Sequence, residues 1–333
     1  MPIQLYPSND GETSALTPSF EELGYAVLKS NLGLLINSGL LIRESESSEV
    51  LHDMRVATRH LRVGIRLFAK ALPESVWTVR PELGWMIRTM GNVRDIEVQL
   101  DGLRALFSGK IIWLEHLENP SIYNELKAVL EQERTVLRCS LLESLGSERW
   151  SNVIQRFLGV IEAGPMSQNG YSKQPALVVI PSLITASQHA LVTAREKALS
   201  SKVVKDFHQL RIKCKYLRYS LEFVDGLYGS CVGQVEDHLT KLQDRLGRIQ
   251  DAHVGLSRLV SLGTRPDPRP DTRLSPSTTF VMGCLAEHYR VEIKHHMDKV
   301  PKLARYIDGK DWHRFSQMMD AKANEAAIVT SYG

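Results

Sequence analysis

The feature that most constrains the fold is a basic helical stretch that occurs twice in the chain. At roughly 100° per residue, the basic side chains between residues 52 and 66 fall within an arc of about 80° on one side of a helix. They are His52, Arg55, Arg59, Arg62 and Arg66. Apolar residues occupy the opposite side and both flanks. This pattern predicts an amphipathic helix whose basic stripe lines a groove rather than covering a convex outer face.

The same pattern returns 156 residues later, with its basic side chains at His208, Arg211, Lys215 and Arg218. Residues 91–95 and 247–251 share a Gly and an Asp at the same spacing, and Asn119-Pro120 matches Ser275-Pro276. These three separate matches share the same spacing of 156 residues, and together they predict an internal tandem duplication.

Helical periodicity fills most of the chain, and only residues 176–180 offer a short β-branched run between helical segments. We therefore predict an all-α protein, built as two antiparallel helix bundles related by internal pseudo-two-fold symmetry. The predicted organisation is a polar leader (1–16), a first bundle (17–165), a linker (166–175) and a second bundle (176–327). A Pro-rich loop is expected between residues 263 and 277.

The formal net charge of +3 is small, so the basic character matters because it is concentrated on the two stripes. Segregated cations point to an anionic partner such as phosphate, nucleic acid or membrane headgroups. The four cysteines form no C-x-x-C pair and indicate reduced thiols. The N-terminal residues do not resemble a signal peptide, and no apolar run approaches the roughly 20 residues of a membrane span. We expect a cytoplasmic protein with no membrane partner.

Other helices supply further candidate cations on shared faces. They are Lys241, Arg245 and Arg248, the pair Arg134 and Arg138, and the counterparts of that pair, Arg290 and Lys294. The first-half positions that match Lys241, Arg245 and Arg248 are uncharged. This difference predicts unequal halves, with tighter anion binding by the second.

Arginine offers a planar fork of donors and lysine a compact charge, so successive helical turns can hold successive phosphates of a linear polyanion. The alternative is a solvated face whose cations pair with acids on the same helix. Such acids are nearly missing, since only Glu222 lies on a stripe, where Arg66 stands in the first half. Asp95 and Asp251 are better explained as anchors for arginine, or as helix caps, than as catalytic bases.

His52 and His208 each precede the first arginine of a stripe by one turn. They are either hydrogen-bonded structural imidazoles or part of the anion site. Beside several cations, an imidazole should have a lowered pKa and be neutral until a polyanion binds. We therefore predict that polyanion affinity rises as the pH falls from about 8 to about 6.

Signals for other chemistry are weak. His295 and His296 are adjacent rather than one helical turn apart, and no carboxylate is clearly placed to join them. A Gly-rich phosphate loop, a Ser/His/Asp arrangement and a pair of suitably spaced carboxylates are all missing from the sequence. We expect no catalytic residue, metal site or cofactor.

The motif His52-x-x-Arg55-x-x-x-Arg59-x-Leu61-Arg62, followed by Gly91-x-x-Arg94-Asp95 and their repeats, resembles the CHAD domain, the conserved histidine α-helical domain. The resemblance covers about residues 17–325. It implies two helical bundles with internal symmetry, and binding of inorganic polyphosphate through the His and Arg/Lys rows. It also implies association with polyphosphate granules, as in some members. The chain departs from the pattern at Gln250, the counterpart of Arg94, and at Glu222.

CHAD domains often follow a CYTH domain, a triphosphate-processing barrel with a Glu-x-Glu-x-Lys strand, and this sequence has no such strand. The resemblance therefore implies a stand-alone domain that binds polyphosphate without hydrolysing it. Two alternatives remain, a phosphohydrolase acting on polyphosphate or nucleotide phosphates, and a nucleic-acid-binding protein. The second is less expected, because single-strand binders need stacking aromatics and only Tyr216, Tyr219 and Trp85 lie near the stripes. Oligomeric state is left open.

Overall fold

The computed structural model describes residues 17–108, 120–165, 170–264 and 274–332. Within these ranges the chain is helical and contains no strand, which confirms the all-α class. The predicted polar leader, most of the Pro-rich loop and Asn119 lie outside the described residues.

Twelve α-helices account for the described chain. They are α1 (Phe20–Glu44), α2 (Ser48–Leu67), α3 (Arg80–Ser108), α4 (Pro120–Gly146), α5 (Glu148–Ala163), α6 (Gly170–Lys173), α7 (Ala176–Ser201), α8 (Val204–Glu222), α9 (Asp225–Tyr228), α10 (Ser230–Thr264), α11 (Pro276–Ala304) and α12 (Lys310–Tyr332). Two 3-10 turns, Glu74–Val79 and Arg305–Asp308, precede α3 and α12.

The helix order repeats in step with the sequence. Helices α1 and α7, α2 and α8, and α4 and α11 begin 156 residues apart. Helix α2 packs against α1 and α3, and α8 packs against α7 and α10. The two basic stripes therefore lie on helices with corresponding neighbours.

The starts of the two halves are tied together by their backbones. Phe20 N–H donates to the carbonyl of Gln174 at 2.8 Å, and Ala176 N–H donates to the carbonyl of Pro18 at 2.9 Å. Each bond is the other shifted by the repeat of 156 residues. Contacts between equivalent positions are what a two-fold axis between the halves would produce. The pseudo-two-fold relation itself stays a prediction.

Two helix boundaries differ from the sequence prediction. Helical periodicity predicts a single helix over about residues 203–228, but α8 ends at Glu222 and Val224 leaves the helical region, with φ −116° and ψ 4°. The sequence likewise predicts a helix over about residues 276–300, before Pro301, whereas α11 passes Pro301 and ends at Ala304. A proline this close to the end of a helix removes only one backbone hydrogen bond, so the helix continues through it.

Most buried hydrophobic residues form one cluster that draws on both halves. A smaller cluster joins α3 and α4 to α10 and α11, and includes Ile96, Leu126 and Leu285. Helices α2 and α8 contact each other directly, which brings the two basic helices side by side. The division into bundles 17–165 and 176–327 stays a prediction.

Helices α1 and α7 are long and apolar enough to span a membrane by length and composition alone. In this fold, 50% and 44% of their most apolar windows are buried inside the protein. Residues such as Leu28 and Ile180 are fully buried in the main core, so packing within the protein accounts for much of the apolar character of both helices.

Candidate functional site

The two basic stripes meet along the contact between α2 and α8. Four cations from the two helices lie close enough for their charges to interact, and we call them the basic quartet: Arg55, Arg59, Arg211 and Lys215. Arg55 interacts with Arg211, and Arg59 with Lys215, so residues 156 positions apart in the sequence face each other. Among the described residues, no member of the quartet forms an ion pair with Asp or Glu within 4.0 Å.

Crowding and burial make the charged state of the quartet costly. Burial, reinforced by the neighbouring arginines, lowers the pKa of Lys215 to about 6. The same two causes lower the pKa of Arg55 to about 10, and burial lowers that of Arg211. The Nε atom of Arg211 is buried without a hydrogen-bond partner. A cluster with like charges and an unused donor is stabilised by an anion that neutralises it.

Asp95 on α3 and Asp251 on α10 flank the quartet and lie near each other. Burial raises the pKa of both carboxyl groups, while the charges of Arg55 and Arg211 oppose that rise. Asp251 nevertheless keeps an exposed side chain. Both carboxylates therefore offset part of the positive charge of the arginines.

The two stripe histidines lie in different surroundings. Burial lowers the pKa of His52, and Arg55, Arg94 and Arg59 lower it further, against an opposing effect of Asp53. The predicted direction is confirmed for this imidazole. His208 Nδ1 lies 2.7 Å from Oε1 of Gln250, so the residue that departs from the family pattern holds this ring in place.

The outer ends of the stripes differ between the halves. The guanidinium of Arg66 lies 4.9 Å from the centre of the Tyr216 ring and is exposed. The stripe of the second half ends instead in an ion pair, in which Nη1 of Arg218 lies 2.5 Å from Oε1 of Glu222. The other oxygen of Glu222 lies 3.0 Å from Nε2 of the buried His60. Arg218 is therefore already neutralised by a carboxylate.

The remaining cations predicted on the second half point elsewhere. Lys241 pairs with Asp237 at 2.5 Å, and Arg245 donates to Nδ1 of His296 on α11 at 2.7 Å. Arg248 is exposed and acts electrostatically on the same His296. Lys241 is thus paired within α10, and Arg245 and Arg248 lie beside α11 rather than the quartet, so these side chains give no support to tighter binding by the second half.

The cations predicted on α4 and α11 lie among other partners. Arg138 donates to the carbonyl groups of Ile42 and Ser45 at 3.2 Å and 2.7 Å, and so caps the end of α1. Arg134 pairs with Glu131 at 2.9 Å. Two more cations are exposed on α11: Arg290, which pairs with Glu287 at 2.6 Å, and Lys294. The structure does not bring these four side chains into the quartet.

Replacing Arg138 with Met is expected to lower the free energy of unfolding by about 1–3 kcal/mol, because the carbonyl groups at the end of α1 lose charged donors. The same change at Arg134, which pairs only with carboxylates near the surface, should cost less than about 1 kcal/mol. Urea denaturation of both variants measures the difference. Equal losses would contradict the capping role of Arg138. Anion binding should be unchanged in both variants.

Sequence reasoning left three arginines of α3 out of the candidate site, although they lie beside the stripes and one of them, Arg94, belongs to the motif that resembles the CHAD domain. Arg94 acts on His52, Arg55 and Asp251, while Arg80 and Arg88 act on Arg62. Their counterparts 156 residues later are Gln250, Glu236 and Asp244. A search for repeated cations therefore passes over all three. The motif that contains Arg94 could have identified that residue, but the three arginines share no narrow face of the helix, since Arg88 and Arg94 lie about 120° apart.

The fold and the cluster together define an all-α protein in which two similar helical halves bring basic helices face to face. The family model of the CHAD domain matches residues 26–260, well over half of the chain. This protein belongs to the CHAD family. Its sequence matches none of the curated proteins.

Two solved structures share the fold. One is PptA from Streptomyces chartreusis, with a TM-score of 0.69 and 19% identity, over 86% of this chain and 99% of that one. The other is the CHAD domain from the plant Ricinus communis, with a TM-score of 0.68 and 19% identity, over 90% of this chain and 96% of that one. At this identity the likeness establishes the architecture alone.

Proposed function

We propose that this protein binds inorganic polyphosphate in the cleft between α2 and α8, without hydrolysing it. The observation that carries the proposal is the basic quartet, in which Arg55, Arg59, Arg211 and Lys215 face one another with no ion-paired carboxylate. A linear polyanion supplies several negative charges close together. It can therefore neutralise all four cations at once, which a single carboxylate cannot.

The aromatic side chains near the cleft favour a ligand without bases. Arg66 lies over the ring of Tyr216, and the guanidinium of Arg218 lies 4.7 Å from the ring centre of Tyr219. Tyr219 is also only 4% exposed. Single-stranded nucleic acids bind by stacking bases on free aromatic faces, and these two faces are covered. Membership of the CHAD family points to the same class of ligand.

The carboxylates of the cleft support binding rather than phosphoryl transfer. Asp95 and Asp251 lie among Arg55, Arg211 and Lys215, whose charges act on both acids. An Mg²⁺ ion held by these acids would be repelled by the same cations. The proposal therefore assigns the two carboxylates to the positioning of arginine and names no catalytic residue.

Calorimetric titration of long-chain polyphosphate tests the proposal. Wild type should bind with its affinity largely retained against DNA of equal phosphate concentration, and gel analysis of the same samples should show unchanged chain length. The variant Arg59→Glu/Lys215→Glu should bind at least about a hundredfold more weakly, since like charges replace two contacts.

A control with at least as large a change in net charge separates the cleft from general electrostatics. Lys29 and Lys302 are exposed and lie outside the quartet, so Lys29→Glu/Lys302→Glu should bind within about threefold of wild type. Equal losses in both double variants would reduce the effect to net charge. Displacement by DNA, or shortened chains, would favour the nucleic-acid and hydrolase alternatives and overturn the proposal.

A further inference from the structure

Two groups of side chains with opposite charge flank the proposed binding site between α2 and α8, and we call them its walls. The first-half wall consists of four arginines on α2 and α3: Arg62, Arg66, Arg80 and Arg88. The second-half wall consists of the residues that follow them by 156 positions, on α8 and α10: Arg218, Glu222, Glu236 and Asp244. Three cations of one wall are thus replaced by acids in the other.

The arginines of the first-half wall lie close together. A methyl group placed on Gly84 would lie 3.6 Å from Nη1 of Arg88 and 4.0 Å from Cζ of Arg62, so both guanidinium groups lie over this glycine. Burial lowers the pKa of Arg62, and the charges of Arg80 and Arg88 lower it further. Arg66 and Arg80 both act on Tyr216 of α8, which connects this wall to the helix that carries Lys215.

The guanidinium groups of these four arginines have N–H donors that no carboxylate ion pair occupies among the described residues. Among the described residues, none of them forms an ion pair with Asp or Glu within 4.0 Å, unlike Arg218 in the other wall. The Nε atom of Arg80 is buried without a hydrogen-bond partner. Buried donors in proteins are normally satisfied, so an unused donor beside like charges indicates a place for an anion.

The second-half wall repels anions. Glu222 holds Arg218 and contacts His60, and Asp244 is exposed on α10. Burial, together with the charges of Glu222 and Asp225, raises the pKa of Glu236 to about 7. This wall therefore holds three acidic side chains against a single arginine, and the raised pKa of Glu236 lessens the negative charge of one of them near neutral pH.

We infer that a bound phosphate chain extends from the basic quartet over the first-half wall only, where Arg80 and Arg88 bind its further phosphates. A chain that left the quartet on the other side would meet Glu222, Glu236 and Asp244 and be repelled. The ligand class is a linear polyanion longer than the quartet can cover by itself. The inference rests on the proposed function and adds the path of the chain to it.

Matched variants at equivalent positions test this path. Arg80→Gln/Arg88→Gln should bind long-chain polyphosphate about tenfold more weakly than wild type, and the slope of log affinity against log salt should fall by about 1.4, as expected for two lost phosphate contacts on a single-stranded polyanion. Affinity for tripolyphosphate, which the quartet alone can hold, should stay within about twofold. Glu236→Gln/Asp244→Asn should bind the long chain as well as wild type, or up to about threefold better.

Arg88→Gln alone guards against a folding defect, because Arg88 is exposed whereas Arg80 is partly buried. It should show a smaller loss in the same direction, with an unchanged melting temperature. Equal effects of the two double variants on long chains, or an equal loss for tripolyphosphate, would overturn the one-sided path while leaving polyphosphate binding intact. If wild type binds neither ligand, the proposed function fails, and the path fails with it.

Discussion

Replacing Lys215 with Met is expected to stabilise the free protein at neutral pH and to weaken polyphosphate binding strongly. The pKa of Lys215 in the fold is about 6, whereas a lysine in an unfolded chain has a pKa of about 10.4. Near neutral pH the unfolded state therefore binds a proton that the folded state largely excludes. Methionine has a similar length and binds no proton, so it removes this disadvantage of the folded state.

The sign of the pH effect follows from the lowered pKa. The destabilisation begins as the pH falls below about 10.4 and is complete below about 6, so wild type gains stability relative to the Met variant as the pH rises from neutral towards 10. After an allowance for partial solvent access, we expect the variant to be more stable by about 1–3 kcal/mol near pH 7. This corresponds to a rise in melting temperature of at least about 2 °C.

Calorimetric scans between about pH 7 and pH 10 measure this difference. Lys213→Met is the matched control, since Lys213 lies on the same helix, outside the quartet. It should leave both stability and binding nearly unchanged. Added polyphosphate should reduce the advantage of the variant, because ligand at about a hundred times its Kd stabilises wild type by about 2.7 kcal/mol and the weakly binding variant by much less. A variant that is less stable than wild type at every pH would show that Lys215 does not oppose folding.

Helical periodicity was sufficient to predict the fold class and the faces of α2 and α8. The repeat placed all four residues of the quartet among the candidate cations, but it did not predict that the two halves would bring them together. Arg55 and Arg211, and Arg59 and Lys215, are equivalent positions of the repeat. The side of a helix that a residue occupies follows from its spacing, and both stripes lie where the spacing places them.

Periodicity does not reveal what lies opposite a helix face. Arg138 and Arg245 occupy basic faces as regular as those of the stripes, yet one caps α1 and the other contacts His296. The lowered pKa of Lys215 was equally hidden, since it depends on burial and on the approach of Arg59 and Arg55 from another helix. Arg80 and Arg88 were passed over because their function does not repeat. Duplication identifies what the halves share, and tertiary contacts determine where they differ.

Polyphosphate affinity is expected to rise by up to about tenfold per pH unit as the pH falls from about 8 to about 6, and to level off below that. In the free protein Lys215 is mostly neutral above its pKa of about 6. A bound polyanion favours the charged form, so binding takes up a proton in this window. The imidazole of His52, whose pKa is also lowered, adds to the effect.

The other charged groups around Lys215 do not reverse this sign. They are Arg55 and Arg59 from α2, Arg211 and Arg218 from α8, and Asp251 from α10. The arginines keep their charge throughout the window, as even the lowered pKa of Arg55 is about 10. A polyanion raises the pKa of Asp251 further above its usual value, which also corresponds to proton uptake. Every titrating neighbour thus changes the affinity in the same direction.

The variant Lys215→Arg distinguishes the contribution of Lys215 to the pH dependence of affinity from that of every other titrating group, including the ends of the polyphosphate chain. Arginine keeps the charge and stays protonated across the window, so the variant should bind more tightly than wild type near pH 8 and equally near pH 6. Titrations in two buffers of different ionisation enthalpy should show proton uptake approaching about one in wild type at the higher pH and clearly less in the variant. If both proteins show the same uptake and the same pH profile, the proton binds elsewhere, and Lys215 is charged before the ligand arrives.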